Sequence, residues 1–346
     1  MQALIYKGVG DLSVEEVAKP TVDAESVLVR VLSCAICGTD VKAYTIGISS
    51  IKPPVIIGHE FVGEVDQVGS QVTEFHPGDR VTMATTIPCG RCDMCRNNLF
   101  NLCLNKLPLG THIDGAFAEY VLIPSQARNY GNLMKIPSDM SANAACLCEP
   151  LGCVINAQNQ AQVGFPDTVV IIGGGPLGLL NAETAKARGA HRTILIGRSQ
   201  KRHLLAADFN IDYRICSKQN DALDAVMNIT AGQGGDVVIN AAPNKDAVDL
   251  AFALVGKSGR VSLFASVPKD DPTLAIDVNR IHYNQISVHG ASDSTPKDHA
   301  NAVMLLANGK ISADRMVTHH FRLHEFGDAI EAIKNRVALK VIIDIG

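Results

Sequence analysis

Four cysteines fall between residues 89 and 103: Cys89-Gly90-Arg91-Cys92-Asp93-Met94-Cys95, then Cys103, a C-x2-C-x2-C-x7-C spacing. Four thiolates satisfy the tetrahedral preference of zinc, and spacings this short let one loop wrap the ion. Gly90 relieves crowding where the backbone turns between ligands. The competing reading is four buried free thiols. It would need them to cluster at ligand spacing in a stretch that also carries Arg91, Asp93 and Arg96. An iron–sulfur cluster also uses four cysteines, but at other common spacings. Four protein ligands leave no open position, so the expected ion is structural, holding together a lobe with little core of its own.

A second set is dispersed. Cys37 lies in Cys37-Gly38-Thr39-Asp40, His59 and Glu60 in Gly58-His59-Glu60, and Glu149 in Cys148-Glu149-Pro150. A catalytic zinc takes about three protein ligands and keeps one position open. Cys, His and Glu supply mixed donors that leave the metal electrophilic. Each residue also has a plainer reading. His59 could be a satisfied structural histidine, Glu60 and Glu149 surface carboxylates, and Cys34-x-x-Cys37 a redox pair. The redox motif lacks the βα context it needs. Each of these signals is weak by itself, and the neighbouring four-cysteine cluster raises the zinc reading.

A third pattern points to a dinucleotide. Val169-Val170-Ile171-Ile172 leads into Gly173-Gly174-Gly175-Pro176-Leu177-Gly178 and then into helical spacing. In strand–turn–helix context, G-x-G-x-x-G provides a tight turn, close backbone approach to a pyrophosphate, and close helix packing. The pyrophosphate would sit at the positive helix N-terminus. An NAD site expects an acid about 20 residues further on, to hold the ribose 2′-hydroxyl. Here the next strand, Thr193–Ile196, runs into Gly197-Arg198-Ser199-Gln200-Lys201-Arg202. The acid is absent, and Arg198, Ser199 and Arg202 suit a 2′-phosphate. A solvated helix start is the alternative, but cations there oppose the helix dipole. NADP is therefore expected over NAD.

These groups need elements to position them. Residues 1–150 read as short strands, such as Val27–Leu32 and Phe61–Val65, separated by turns such as His76-Pro77-Gly78-Asp79; no long helical period shows there. From about residue 165 the pattern alternates short apolar runs with helices: Thr168–Ile172, Leu177–Arg188, Thr193–Ile196, Lys201–Asp208, Asp236–Asn240, Lys245–Val255 and Gly259–Ala265. That is the signature of βαβ units on a parallel sheet with right-handed crossovers. After about residue 290 come two surface helices, Lys297–Ala307 and Glu325–Asn335, and a last strand, Lys340–Ile345. The expected class is α/β. Residues 1–150 form a β-rich part, 151–288 a doubly wound dinucleotide-binding domain, and 289–346 return to the first part.

Composition excludes other classes. The 346 residues are 47% hydrophobic and 19% charged, enough apolar material for large cores and too much for a disordered chain. A net charge of −4 argues against a nucleic-acid or anionic-membrane binder. Ten cysteines in this length are far too sparse for a secreted disulfide scaffold. The first residues show no secretory apolar core, and no run is long enough to span a bilayer. The expectation is a soluble, cytoplasmic protein with a small-molecule substrate.

Taken jointly, the motifs resemble the zinc-dependent medium-chain alcohol dehydrogenases, over essentially the whole chain. The resemblance is carried by Gly58-His59-Glu60, Pro77-Gly78-Asp79-Arg80-Val81, the four-cysteine lobe, Asp114-Gly115-Ala116-Phe117-Ala118-Glu119-Tyr120, Cys148-Glu149-Pro150-Leu151, the glycine loop and Leu339-Lys340-Val341. The similar branch is that of polyol, sugar-phosphate and threonine dehydrogenases. The resemblance implies a GroES-like catalytic domain built from both chain ends, a Rossmann domain between them, and a homodimer or homotetramer. It implies a catalytic zinc at Cys37 and His59 with Glu149 or Glu60, and Lys340 near the cofactor pyrophosphate. With the four-cysteine site, two zinc ions per chain are expected. It also implies a proton relay through Thr39. Lys42 stands where the family often has a histidine, a departure from the relay: a lysine relays protons only with a depressed pKa, contact with an anionic substrate group is the alternative, and a solvated lysine is the plainer reading. The implied reaction is hydride transfer between a secondary alcohol and a nicotinamide.

Overall fold

A computed structural model describes residues 1–346 as two compact units. The first comprises Met1–Gly152, Asp293–Gly309 and Met316–Gly346; the second comprises Cys153–Ser292 and Lys310–Arg315. No helix is long and apolar enough to cross a membrane.

The second unit is built on a six-stranded parallel sheet. Its order is Tyr213–Cys216, Arg192–Gly197, Thr168–Ile172, Gly235–Asn240, Val255–Leu263 and Ser287–Gly290. Helices such as Pro176–Ala187 and Lys245–Leu254 cover it. The central strands are apolar along their length because both faces are covered: Val169, Val170, Ile171, Val237, Val238 and Ile239 are fully buried. Strand order reverses between Thr168–Ile172 and Gly235–Asn240. In such sheets the crevice beyond the carboxyl ends at this reversal is where ligands bind, and the glycine loop emerges there.

The main sheet of the first unit has seven strands. Leu133–Lys135, Arg80–Met83, Glu60–Val68, Val27–Ala35, Lys340–Asp344 and Val317–Arg322 lie in that order, and Tyr120–Ile123 also pairs with Val27–Ala35. Lys340–Asp344 runs antiparallel to Val27–Ala35, with Ile343 opposite Cys34, so the last strand of the chain lies against one of its first. Phe61, Phe117 and Leu28 anchor the core, and Phe326 meets Phe117 edge-on at 5.0 Å.

Three details depart from the sequence expectation. Residues 1–150 are not free of sustained helix: Gly38–Ile46 is one, and Cys148–Gln160 is a thirteen-residue helix. Pro150 sits in its first turn, where its missing N–H costs nothing. The division between units falls within this helix, after Gly152. The return from the second unit is also interrupted. Lys310–Arg315 groups with the second unit because the Ser312 amide and hydroxyl donate to the buried Glu183 carboxylate at 2.9 and 2.7 Å.

Candidate metal centres and cofactor loop

Cys37 ends the segment after strand Val27–Ala35 and precedes helix Gly38–Ile46. His59 and Glu60 sit at the start of strand Glu60–Val68. Gly58 holds that approach: its φ is +94°, and a Cβ there would lie 2.6 Å from the Phe117 ring. Strand Val27–Ala35 pairs with Glu60–Val68, with Ala35 opposite Glu60. That register brings ligand atoms of Cys37, His59 and Glu60 within 4.8 Å of one another.

The surroundings favour a cation. Asp40 is 2% exposed, accepts from the Cys37 amide at 2.8 Å, and lies 3.9 Å from His59 Nδ1. At that distance the carboxylate acts on the imidazole through its charge rather than through a hydrogen bond. Burial by itself would lower the His59 pKa. Cys37, Asp40 and Glu149 outweigh it and hold it well above the ordinary value. Glu149, on the first turn of Cys148–Gln160, accepts from Thr85 Oγ1 at 3.3 Å. Burial pushes its carboxyl up to about 7, with Glu60 and Asp293 adding to the rise and His59 opposing it. Lys340 is 6% exposed and ion-pairs with Glu60. Burial would lower its pKa, but Glu60 and Cys37 overcome this. A buried site that raises the pKa of both its histidine and its lysine is a negative pocket. Its Cys, His and Glu donors fit a zinc ion with an open position.

Thr39 is half-buried on the first turn of Gly38–Ile46, while Lys42 is exposed on the same helix. Sequence reading assigned no role to Asp40, although it lies within the quoted Cys37–Asp40 motif. An acid three residues after a helix-starting position was the available signal. Thr85 and Asp293 also carried no legible signal, because nothing in their spacing ties them to the site.

Cys89, Cys92, Cys95 and Cys103 bring their sulfurs within 4.8 Å of one another. Cys92 Sγ is 3.5 Å from Cys95 Sγ and 3.9 Å from Cys103 Sγ. Tetrahedral zinc with Zn–S bonds of about 2.3 Å places sulfurs ~3.8 Å apart, so the cluster has the size of such a site. The amides of Arg91 and Cys92 lower the Cys89 thiol to about 6, whereas burial and the adjacent thiols push Cys95 up to about 12. A bound cation would favour the thiolate form of all four. Apolar cover is thin, since Leu99, Leu102 and Leu104 are all exposed. Cys92→Ser is expected to lower stability by on the order of 3 kcal/mol, a fraction of what a structural zinc contributes to folding. Turnover per folded molecule should stay near normal. Urea unfolding, active-site titration and metal content check this, and a selective loss of turnover would contradict it.

In the second unit, Gly173–Gly178 forms the turn between strand Thr168–Ile172 and helix Pro176–Ala187. A Cβ at Gly178 would lie 1.7 Å from the Gly173 carbonyl oxygen. The helix can pack this close to the strand end only without that atom, which leaves its N-terminus at the strand's carboxyl end. Arg202 lies at this loop, since a Cβ on Gly175 would come within 3.2 Å of its Nη1. Ser199 caps helix Gln200–Leu205, accepting from the Arg202 amide at 3.4 Å, and Arg198 is exposed beside it. The cradle fits a dinucleotide.

Residues 23–138 match the alcohol dehydrogenase GroES-like domain, and residues 176–308 match the zinc-binding dehydrogenase domain. The chain is 34% identical to a sorbitol dehydrogenase of Halalkalibacterium halodurans, with 99% of each chain covered. It is 34% identical to an L-threonine 3-dehydrogenase of Thermococcus kodakarensis, over 94% of this chain and 93% of that one. Among solved structures, a zinc-binding dehydrogenase of Sinorhizobium meliloti bound to NADP superposes with a TM-score of 0.93 at 32% identity, covering 99% of this chain and 98% of that one. With donor sets, glycine cradle and whole-length similarity in agreement, the chain belongs to the zinc-dependent medium-chain alcohol dehydrogenases.

Proposed function

We propose that the protein transfers hydride between NADP(H) and a secondary alcohol, or the matching ketone, of a polyol, sugar or sugar phosphate. The observation that carries this is the convergence of Cys37, His59 and Glu60, with Glu149 alongside, in a buried negative pocket. Cys37, His59 and one of the two glutamates would hold the catalytic zinc, and Cys89, Cys92, Cys95 and Cys103 a structural one. When bound, zinc supplies the Lewis acidity that makes a substrate hydroxyl acidic near neutral pH, and the nicotinamide supplies the hydride acceptor. The protein's own residues do the rest. Asp40 holds the Cys37 backbone and acts on His59 through its charge. Lys340 neutralises Glu60, and Thr39 carries the substrate proton outward. Burial of His59, Glu60 and Glu149 keeps water from those groups, which strengthens their interactions.

NADP preference rests on the basic cluster Arg198, Ser199 and Arg202 and on the missing acid at the end of Arg192–Gly197. The similar NADP-bound dehydrogenase supports it. The wild-type enzyme should favour NADP over NAD in kcat/KM by about tenfold or more, the worth of one charge-assisted hydrogen bond. Gly197→Asp should move the ratio toward NAD by repelling the 2′-phosphate. Space exists, since a Cβ at Gly197 would sit 3.4 Å from Gly174 Cα. Equal or better wild-type turnover with NAD would remove this reading. It would favour instead an NAD-dependent threonine-type enzyme, which the threonine dehydrogenase relative keeps in view.

A homodimer or homotetramer is part of the proposal. Edge strand Ser287–Gly290 leaves Val288 exposed, and Val278 and Tyr283 are exposed on the preceding helix. Ten free thiols suit a reducing, cytoplasmic setting.

A further inference from the structure

Strand Gly235–Asn240 is apolar through Val237, Val238 and Ile239, then ends on a polar residue buried as deeply as they are: Asn240 is 0% exposed. Its side chain has one partner. Asn240 Oδ1 accepts from the Ala242 amide at 3.1 Å, and no group of the protein accepts from Nδ2. A buried donor left unpaired costs stability, so packing alone would favour an apolar side chain here. What the residue supplies instead is the bond to Ala242. That bond shapes the turn Ala241–Ala242, and the turn is one wall of the glycine loop. The Ala241 amide donates to the Ile172 carbonyl at 2.8 Å, and the Ala265 amide to the Asn240 carbonyl at 2.8 Å. Gly173 follows Ile172, and its backbone lies against the turn. A Cβ on Gly173 would sit 2.9 Å from the Ala241 carbonyl oxygen and 3.3 Å from the Ala242 nitrogen. On the other side, the Gly173 amide donates to the Ile196 carbonyl at 2.8 Å. Gly173 is thus held between the ends of the two strands that flank its own, and the Asn240 side chain fixes one of those ends.

We propose that Asn240 positions the glycine loop for the dinucleotide pyrophosphate, by holding the Ala241–Ala242 turn against Gly173. The proposal rests on the dinucleotide reading of that loop. The turn needs an acceptor at residue 240, and a neutral one. An aspartate could accept the same N–H, but it would bring a negative charge to the loop that receives the pyrophosphate. An apolar side chain could not accept at all. Without the bond, the turn loses one of its fixed points, and the close backbone approach at Gly173–Gly175 is no longer set before the ligand arrives. The ligand must then order the loop as it binds, which lowers affinity.

The test compares ligands with and without a pyrophosphate on the zinc-loaded full-length enzyme. Asn240→Leu keeps the side-chain volume and removes the acceptor, and Asn240→Ala is a second variant with no bulk to misfit. Fluorescence titration reads NADPH affinity, and competition against it reads the affinity of adenosine 2′-phosphate. Each variant should raise the NADPH Kd by about three- to tenfold, the worth of one hydrogen bond, and leave that of adenosine 2′-phosphate within about twofold. Turnover at saturating cofactor should stay near wild type, so the loss falls in the cofactor KM and not in kcat. The urea midpoint of Asn240→Leu should not fall, because the unpaired amide leaves together with the hydrogen bond. Equal losses for the two ligands overturn the proposal, since a general loosening of the sheet weakens both alike. An unchanged NADPH Kd in both variants overturns it as well. If the wild type binds NADH and not NADPH, the NADP reading alone falls, and the same comparison decides the proposal with NADH and adenosine. If it binds neither dinucleotide, the reading of the loop falls, and the proposal with it.

Discussion

Replacing Cys37 with serine is expected to lower turnover by at least about a thousandfold, the rate equivalent of ~4 kcal/mol of Lewis-acid stabilisation. A serine hydroxyl does not ionise as a thiol does and is a poor zinc ligand. The change is nearly isosteric, and Cys37 makes its structural contact through its backbone amide to Asp40. The fold should therefore survive. Metal analysis should show loss of one zinc equivalent, with the ion at Cys89, Cys92, Cys95 and Cys103 retained. A Cys37→Ser enzyme with wild-type turnover would sink the metal assignment. Comparison with Cys92→Ser separates the two sites, since that variant should lose stability and keep its chemistry.

Lys340→Met is expected to have the largest effect on stability. Lys340 and Glu60 form an ion pair in which the side chains are only 7% and 1% exposed. Removing one partner of such a pair leaves a buried charge uncompensated and costs about 3–5 kcal/mol. Methionine fills much of the lysine's volume, so the loss reports charge rather than a cavity. The double variant Glu60→Gln, Lys340→Met should recover most of the loss, because it removes the stranded carboxylate. Urea unfolding of the metal-free proteins measures both. If Lys340→Met unfolds with the wild-type midpoint, the pair contributes nothing. If the double variant is no more stable than the single one, the loss comes from packing instead.

Much of this was legible in the residues themselves. The α/β class followed from the switch in hydrophobic period near residue 165, because both a strand covered on two faces and the helix after it are written in consecutive residues. The four-cysteine cluster and the glycine loop were equally local: each is one turn of chain whose spacing is its geometry. The helix Cys148–Gln160 was missed because it starts at the end of a stretch rich in short strands, at a motif read only for its glutamate. Lys340 was read only through the resemblance, and its ion pair with Glu60 had no local signal because the two residues meet across strand Val27–Ala35.

Ligand type and spacing by themselves pointed to a four-cysteine metal site and a dinucleotide loop, since donor chemistry and short loops are properties of neighbouring residues. Only the tertiary structure decided which distant groups tune them. Strand Val27–Ala35 had to pair with Glu60–Val68 to bring Cys37 to His59, and with the last strand to bring Lys340 near Glu60. Lys106 and Asp293, 187 positions apart, meet because the chain leaves the first unit and comes back. Such contacts depend on strand register and chain return, which no local pattern encodes. The physical reason is that a carboxylate's charge, pKa and partner are set by what burial brings against it, and burial is a property of the folded whole.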